Sequence, residues 1–223
     1  MTPVNDALQI GVSGDGGAAI KIFLLMTALS FGPALVMSMT SFLRIIVVLS
    51  FLRQALGSPQ LPPNPVLLGL ALFLTIFIMR PTLERVHQEA VAPYLDDKIS
   101  YQAALDNGGG ALKAFMLPQT REDDIALFYD IAAAPRPERV EDIPVSIAVP
   151  AFMLSELTTS FRMGLFLFIP LLLVDLLVAA ILMSFGMMMV PPQMIGLPLK
   201  IAVFLMADGW HLVVSSLARS FHG

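Results

Sequence analysis

Hydrophobic positions follow one another along this chain in long blocks that polar segments interrupt. Apolar residues dominate positions 19–43, 67–79, 165–190 and 194–221. Runs of this length and hydrophobicity are typical of helices that lie in a membrane. The alternation of apolar and polar residues that would indicate strands does not occur in them. The pattern therefore predicts four apolar helical segments.

Proline and glycine divide the first two segments into a hairpin. Gly32-Pro33 predicts a kink, because an internal proline removes one helical hydrogen bond. The prolines between positions 58 and 65 predict a turn, after which Asn64 and Pro65 have the residue types expected at a helix start. We expect that helix to stop at Arg80-Pro81, which leaves an apolar run shorter than the ~20 residues that cross a bilayer upright.

Residues 84–142 differ in composition from the rest of the chain. They hold six Lys and Arg against twelve Asp and Glu, a net charge of −6 in a chain whose total is −4. Ser100 predicts the cap of a short helix that ends at the turn 107–110, and Thr120 with Asp123 predicts a capping box for a helix that Pro135 ends. Because cytoplasmic loops tend to be rich in Lys and Arg, we expect this acidic insert on the periplasmic side.

The second half repeats the hairpin pattern. Gly186 and Pro191-Pro192 predict a turn between its two apolar segments. We therefore predict an all-α integral membrane protein with two long kinked helical hairpins that flank a small helical polar insert. Its parts are a flexible tail at 1–17, a hairpin at 18–83, the acidic insert at 84–142 and a second hairpin at 143–223.

Composition agrees with a membrane protein. The chain is 57% hydrophobic and 13% charged, with a mean hydropathy of +0.79, whereas soluble domains average roughly 45–50% apolar and about 25% charged residues. The absence of cysteine excludes disulfides and thiolate metal sites, and the three histidines lack metal-ligand spacing. We expect no metal and no cofactor, and an acidic chain without a basic aromatic patch does not fit nucleic-acid binding.

Charges inside the apolar segments are the first candidate site residues, since a buried charge in lipid needs a partner. On a helix that rises 1.5 Å per residue, Asp175 lies ~16 Å before the turn and Lys200 ~12 Å after it, a difference that a lysine stem could bridge. We therefore predict a structural role for these two residues, as a buried pair or a subunit contact, with proton transfer as the alternative. Glu156 and Arg162 are six residues apart and point to different sides of one helix, so their partners belong to other helices or subunits. Asp208 is the remaining charge in this group of buried charges or subunit contacts.

Met187, Met188 and Met189 stand between Gly186 and Pro191. Part of this triplet is therefore expected at a helix end, where the unbranched and adaptable side chains could close around objects of varied shape. Ordinary apolar filling is the alternative, because the chain contains 14 methionines.

Several long blocks resemble the FliP family of flagellar and type III secretion proteins, known in virulence systems as SctR or YscR. They cover most of residues 41–221 and read SFLRIIVVLSFLRQALG, PPNPVLLGLALFLTIFIM, FMLPQTREDD, PAFMLSELTTSFRMG, LMSFGMMMVPPQMIGLPLK and FLMADGWHLVVSSLARSF. Long blocks in this order are more specific than any single short motif.

The resemblance implies a function that composition does not. Such subunits form a pentameric ring with FliQ-type and FliR-type subunits, an export gate in the bacterial inner membrane at the flagellar basal body. Unfolded substrate proteins pass through its channel, in contact with other proteins of the export apparatus and with membrane lipid. The block that holds Met187, Met188 and Met189 matches the loop that constricts this pore, which implies a gasket. A virulence-system homologue remains the alternative.

Two other functions are compatible with single features of the sequence. An intramembrane aspartyl protease would use Asp175 and Asp208, but Asp208 stands in MADGW, without the Gly-x-Gly-Asp setting of such enzymes. A small-solute transporter would use the broken helix at Pro170 beside Asp175. No nucleophile and base occur together, so we expect no enzyme.

Overall fold

The computed structural model describes residues 23, 26–27, 30, 32–58, 60–187 and 189–221. By contacts the chain divides into residues 1–36 and 37–223, and the account below concerns the second unit. The tail predicted at 1–17 lies outside the described residues, as does residue 31 beside the predicted kink at Gly32-Pro33. The α-helices among the described residues are α1 (Gly32–Met39), α2 (Phe42–Leu56), α3 (Asn64–Val86), α4 (Ala92–Leu95), α5 (Tyr101–Gln119), α6 (Glu122–Ala132), α7 (Val145–Ser184), α8 (Pro192–Met206) and α9 (Gly209–Arg219).

Two short helical turns complete the described chain, a π-helical turn at His87–Val91 and a 3₁₀ turn at Val140–Asp142. No strand occurs in these residues. The predicted all-α fold is confirmed.

Helix α3 is longer than predicted, and the expected stop at Arg80-Pro81 is wrong. The chain stays helical through Pro81 and the π-helical turn, giving one segment of 32 residues from Asn64 to Leu95. Arg80 Nε donates to Glu84 Oε1 at 2.8 Å across the proline, and the segment packs against α5. These contacts offset the hydrogen bond that the proline removes. The composition boundary at residue 84 therefore falls inside a helix.

Helix α5 also runs beyond its predicted end. Ser100 caps it as expected, since its Oγ accepts a hydrogen bond from the Ala103 amide at 3.3 Å. The turn predicted at 107–110 is wrong, because the helix continues through three glycines to Gln119. Asn107 Nδ2 donates to the Glu89 carbonyl at 2.9 Å, and a Cβ at Gly108 would lie 3.5 Å from that of Ala90. Close packing on the π-helical turn thus overrides the low helix propensity of glycine.

The predicted capping box at Thr120 and Asp123 is wrong as well. Arg121 occupies the N-cap of α6 without a side-chain cap, and Thr120 Oγ1 instead donates to the Met116 carbonyl at 2.8 Å. The helix ends at Ala132, where Ala133 has a left-handed conformation with φ of 48°.

Helix α2 lies at the centre of the core and packs against α3, α7 and α8. Its buried face recurs at helical spacing and consists of Ile45, Val48, Leu49 and Leu52. Helix α7 approaches it closely at Gly164, where a Cβ would lie 2.6 Å from Cγ of Phe51. Glycine at this position therefore allows the two long helices to meet.

By length and composition, the segment Asn64–Leu95 and helix α7 are each long and apolar enough to cross a membrane. Two bent pairs, α1 with α2 and α8 with α9, also pass this test when each pair is taken as one span. Helix α7 has 40 residues, so it is about 60 Å long at 1.5 Å per residue. This is about twice the ~30 Å thickness of a hydrocarbon core, so α7 is longer than a helix needs to be to cross one.

Candidate functional site

Arg44 on α2 and Glu156 on α7 form a buried ion pair. Their exposed fractions are 2% and 0%. The Arg44 Nε donates to Glu156 Oε2 at 2.8 Å, and its Nη2 also donates to Oε1. Sequence reasoning placed the partner of Glu156 on another helix or subunit; within this chain it is Arg44.

The same guanidinium joins two further parts of the chain. Arg44 Nη1 donates to the carbonyl and hydroxyl oxygens of Ser220 at 2.8 and 2.9 Å, and Nη2 donates to Gln119 Oε1 at 3.2 Å. The ring of Phe221 lies 3.8 Å from the guanidinium carbon, and Gln119 Nε2 donates to the Phe221 carbonyl at 3.2 Å. This cluster therefore connects α2, α5, α7 and the segment after α9.

Asp175 and Lys200 form the second ion pair of the apolar helices, between Asp175 Oδ2 on α7 and Lys200 Nζ on α8. Their distances from the turn predicted this pairing, and the structure confirms it. The Lys200 side chain is 6% exposed and that of Asp175 is 35% exposed. Lys200 Nζ also donates to the Ala55 carbonyl at 3.1 Å, near the C-terminus of α2, where a positive charge is favoured. One lysine thus joins α2, α7 and α8.

The turn beyond this pair carries the methionine triplet. Gly186 has a left-handed φ of 71°, and the Met187 amide donates to the Leu182 carbonyl at 3.0 Å, which ends α7. The exposed fraction is 48% for Met187 and 96% for Met189, while Met188 lies outside the described residues. The turn therefore presents at least two thioether side chains outside the core of the single chain.

Arg162 and Asp208 are exposed, unlike the two pairs above. In the part of the chain that the structure describes, neither side chain takes part in an ion pair. Their exposure excludes the buried-charge alternative for these two residues, and a subunit contact stays a prediction.

A polar contact that sequence reasoning missed holds α6 against α7. Arg121 Nε and Nη2 donate to the two carboxylate oxygens of Asp124 at 2.8 and 2.7 Å, and Ser155 Oγ on α7 also donates to this carboxylate. Hydrogen bonds from Arg121, and then from Ser155, lower the pKa of Asp124 despite its burial. The carboxylate is therefore ionised at neutral pH, and this stabilising contact is lost only as the pH falls through the lowered pKa.

The arrangement does not resemble a catalytic site. No group of three or more His, Asp or Glu that could hold a metal occurs in the described ranges. The carboxylate of Asp175 is held by a lysine, and Asp208 is exposed at the junction of α8 and α9. This geometry gives no support to the aspartyl-protease alternative.

Exchanging the charges of Asp175 and Lys200 tests whether the two side chains stabilise the fold by direct pairing. Asp175→Lys or Lys200→Asp alone leaves two like charges together, which we expect to destabilise the chain, though by less than the loss of a fully buried pair because the Asp175 side chain is 35% exposed. The double exchange should recover part of that loss. The measurement is the yield of folded protein after detergent extraction, and a double variant no better than either single variant would contradict direct pairing.

Comparison with known proteins identifies the family. The profile of the FliP family matches residues 25–217. The chain is 50% identical over 204 residues to a protein of Pectobacterium carotovorum, which covers 92% of this chain and 79% of the relative. It is 47% identical over 221 residues to a protein of Bacillus subtilis, covering 98% of this chain and 100% of the relative. A protein of Aquifex aeolicus is 46% identical over 216 residues, 96% of this chain and 90% of its own length.

All three relatives carry the name flagellar biosynthetic protein FliP. The family profile and the relatives cover nearly the whole chain, including both ion pairs and the methionine turn. This chain belongs to the FliP family.

Proposed function

We propose that this chain is a structural pore subunit of the flagellar export gate, which passes unfolded proteins across the bacterial inner membrane. The observation that carries the proposal is the family match over residues 25–217, within which a turn with exposed methionines joins two long apolar helices. The names of the relatives favour a flagellar system over a virulence system. The subunit acts by forming a channel wall, without catalysis.

The partners in this proposal are further copies of the chain, in a pentameric ring with FliQ-type and FliR-type subunits. Its contacts also include unfolded export substrates, other proteins of the export apparatus and membrane lipid. Large apolar side chains with high exposure support such an assembly, among them Phe73 at 77% and Phe166 at 79%. Exposed apolar surface on this scale is covered by lipid or by other subunits.

The acidic insert at 84–142 faces the periplasm in this proposal, because it holds few Lys and Arg for its length. An Arg136→Cys variant of this cysteine-free chain tests its side, since Arg136 is exposed. A membrane-impermeant maleimide should label the variant in intact cells. Labelling that needs cell lysis would reverse the topology.

The methionine turn seals the channel at rest in this account. Flexible thioethers from several subunits occlude a narrow pore yet separate for an unfolded polypeptide, and their apolar surface discourages a continuous column of water. Replacing Met187, Met188 and Met189 with alanine should therefore open a leak while the complex still assembles. Membrane conductance and small-solute leak would be measured together with secretion.

A control variant distinguishes the effect of removing the turn methionines from the effect of removing exposed methionines elsewhere in the chain. Met37 and Met183 are exposed by 48% and 61% but lie on helices. Alanine at these two positions should leave the membrane as tight as in the parent. If the assembled triple variant leaks no more than this control, the gasket role is wrong and the turn methionines serve only in packing.

A further inference from the structure

Arg162 on α7 and Asp208 between α8 and α9 are exposed charges in the apolar half of the chain, without an ion-pair partner among the described residues. Both are exposed, and no side-chain hydrogen bond or ion pair joins either residue to another described residue. Glu156 and Asp175, on the same helix as Arg162, are both paired within the chain. A charge beside apolar surface is costly once water is excluded, so a chain that covers the apolar surface around these two residues must supply a partner for each charge.

The surroundings of Asp208 form a projecting corner. Helices α8 and α9 meet there at a bend of 64°, and Asp208 has a left-handed φ of 50°. Although it occupies the N-cap position of α9, its carboxylate makes no capping hydrogen bond. The side chains just before the bend, Leu205 and Met206, are 61% and 88% exposed. The carboxylate of Asp208 thus lies beside two exposed apolar side chains, Leu205 and Met206, which are called the knob below.

The surroundings of Arg162 have the opposite character. Its side chain lines an open cavity of about 470 Å³ between α2 and α7. The other lining residues are Phe51, Leu157, Thr158, Phe161 and Leu165. Phe161 and Leu165 are both 56% exposed. The guanidinium of Arg162 therefore lies at the edge of a mainly apolar cavity, which is called the socket below.

We propose that Asp208 of one copy of this chain pairs with Arg162 of the next copy, while Met206 of the first copy enters the socket of the second. The proposal rests on the homo-oligomeric ring of the proposed function and names the contact that closes it. Charge and shape are complementary, because an anion beside a knob meets a cation beside a cavity. Apolar surroundings exclude water and strengthen the pairing.

Different helices build the two surfaces, α2 and α7 around Arg162 and α8 and α9 around Asp208. Such a contact is heterologous, since each copy uses one surface towards one neighbour and the other surface towards the opposite neighbour. Repetition with a rotation that closes gives a ring in which every Arg162 and every Asp208 has a partner.

A second copy fits these observations better than a lipid headgroup. An anionic phosphate would satisfy Arg162 but would repel Asp208. The contact between copies satisfies both charges at once, so that in a closed ring every Arg162 and every Asp208 is paired, whatever the number of subunits.

Cross-linking in the cysteine-free chain tests the contact directly. Leu165→Cys and Ala207→Cys replace exposed residues next to the two charges and leave both Arg162 and Asp208 in place, and Ala207 does not share the left-handed backbone of Asp208. Treatment of membranes with a short bismaleimide should give covalent dimers and higher multiples of the double variant. Each single variant should give none, and neither should the control pair Leu165→Cys with Arg136→Cys, which uses an exposed site in the insert.

Substitutions that change the charges of Arg162 and Asp208 provide a second test of the contact. Arg162→Asp and Asp208→Arg should each lower the yield of the native ring by about tenfold or more, because like charges then meet across the contact. The two changes together should restore part of that yield. Asp208→Asn removes the charge while asparagine still tolerates the left-handed backbone, so a loss of rings from this variant reports the charge and not the conformation.

The outcomes separate the two proposals. A parent chain that forms no homo-oligomer in native membranes would overturn the proposed ring and this contact together. A parent that forms rings would overturn the contact alone if the double-cysteine variant cross-links no better than its control. Cross-links to a different subunit type, or rings unaffected by Arg162→Asp and Asp208→Asn, would also overturn it.

Discussion

The pairing of Arg44 with Glu156 is the constraint on which the remaining packing depends. An ionised group without a partner in the core costs several kcal/mol, and both of these residues are almost wholly buried. The guanidinium has five donors, and Glu156, Ser220 and Gln119 together occupy them in a planar arrangement. These partners are far apart in sequence, so α2, α5, α7 and the segment after α9 must all be in place before this charge is satisfied.

Lys200 is a second buried charge whose partners lie on different helices, nearer to the methionine turn. It connects Asp175 on α7 with the last turn of α2, and so fixes both arms of the second hairpin to the central helix. The turn between these arms exposes Met187 and Met189. A rigid hairpin that ends in adaptable side chains suits a channel constriction, because the arms keep their position while the thioethers move.

The fold class and the ion pair of Asp175 with Lys200 could be predicted from the sequence, whereas the pair of Arg44 with Glu156 could not. Long apolar runs indicate helices without ambiguity, and the turn at Gly186 sets the register of Asp175 against Lys200. The partner of Glu156 could not be found in this way, because Arg44 is 112 positions away and no local pattern relates their helices. A lone arginine in the apolar block SFLRIIVVLS was the available signal, since a charge there needs a buried partner. Helix ends at Pro81 and at the glycines 108–110 were wrong because tertiary packing outweighed local propensity.

A double-mutant cycle on the central pair tests this account most directly. Free energies of unfolding in detergent would be measured for Arg44→Met, Glu156→Leu and the double variant, with the exposed pair Arg80 and Glu84 as control. The account predicts that each single change at the buried pair costs about 3–5 kcal/mol and that the double change costs clearly less than their sum. The control pair, whose side chains are both exposed, should contribute little. Additive losses at Arg44 and Glu156, or losses as small as those of the control, would contradict the claim that this pair organises the fold.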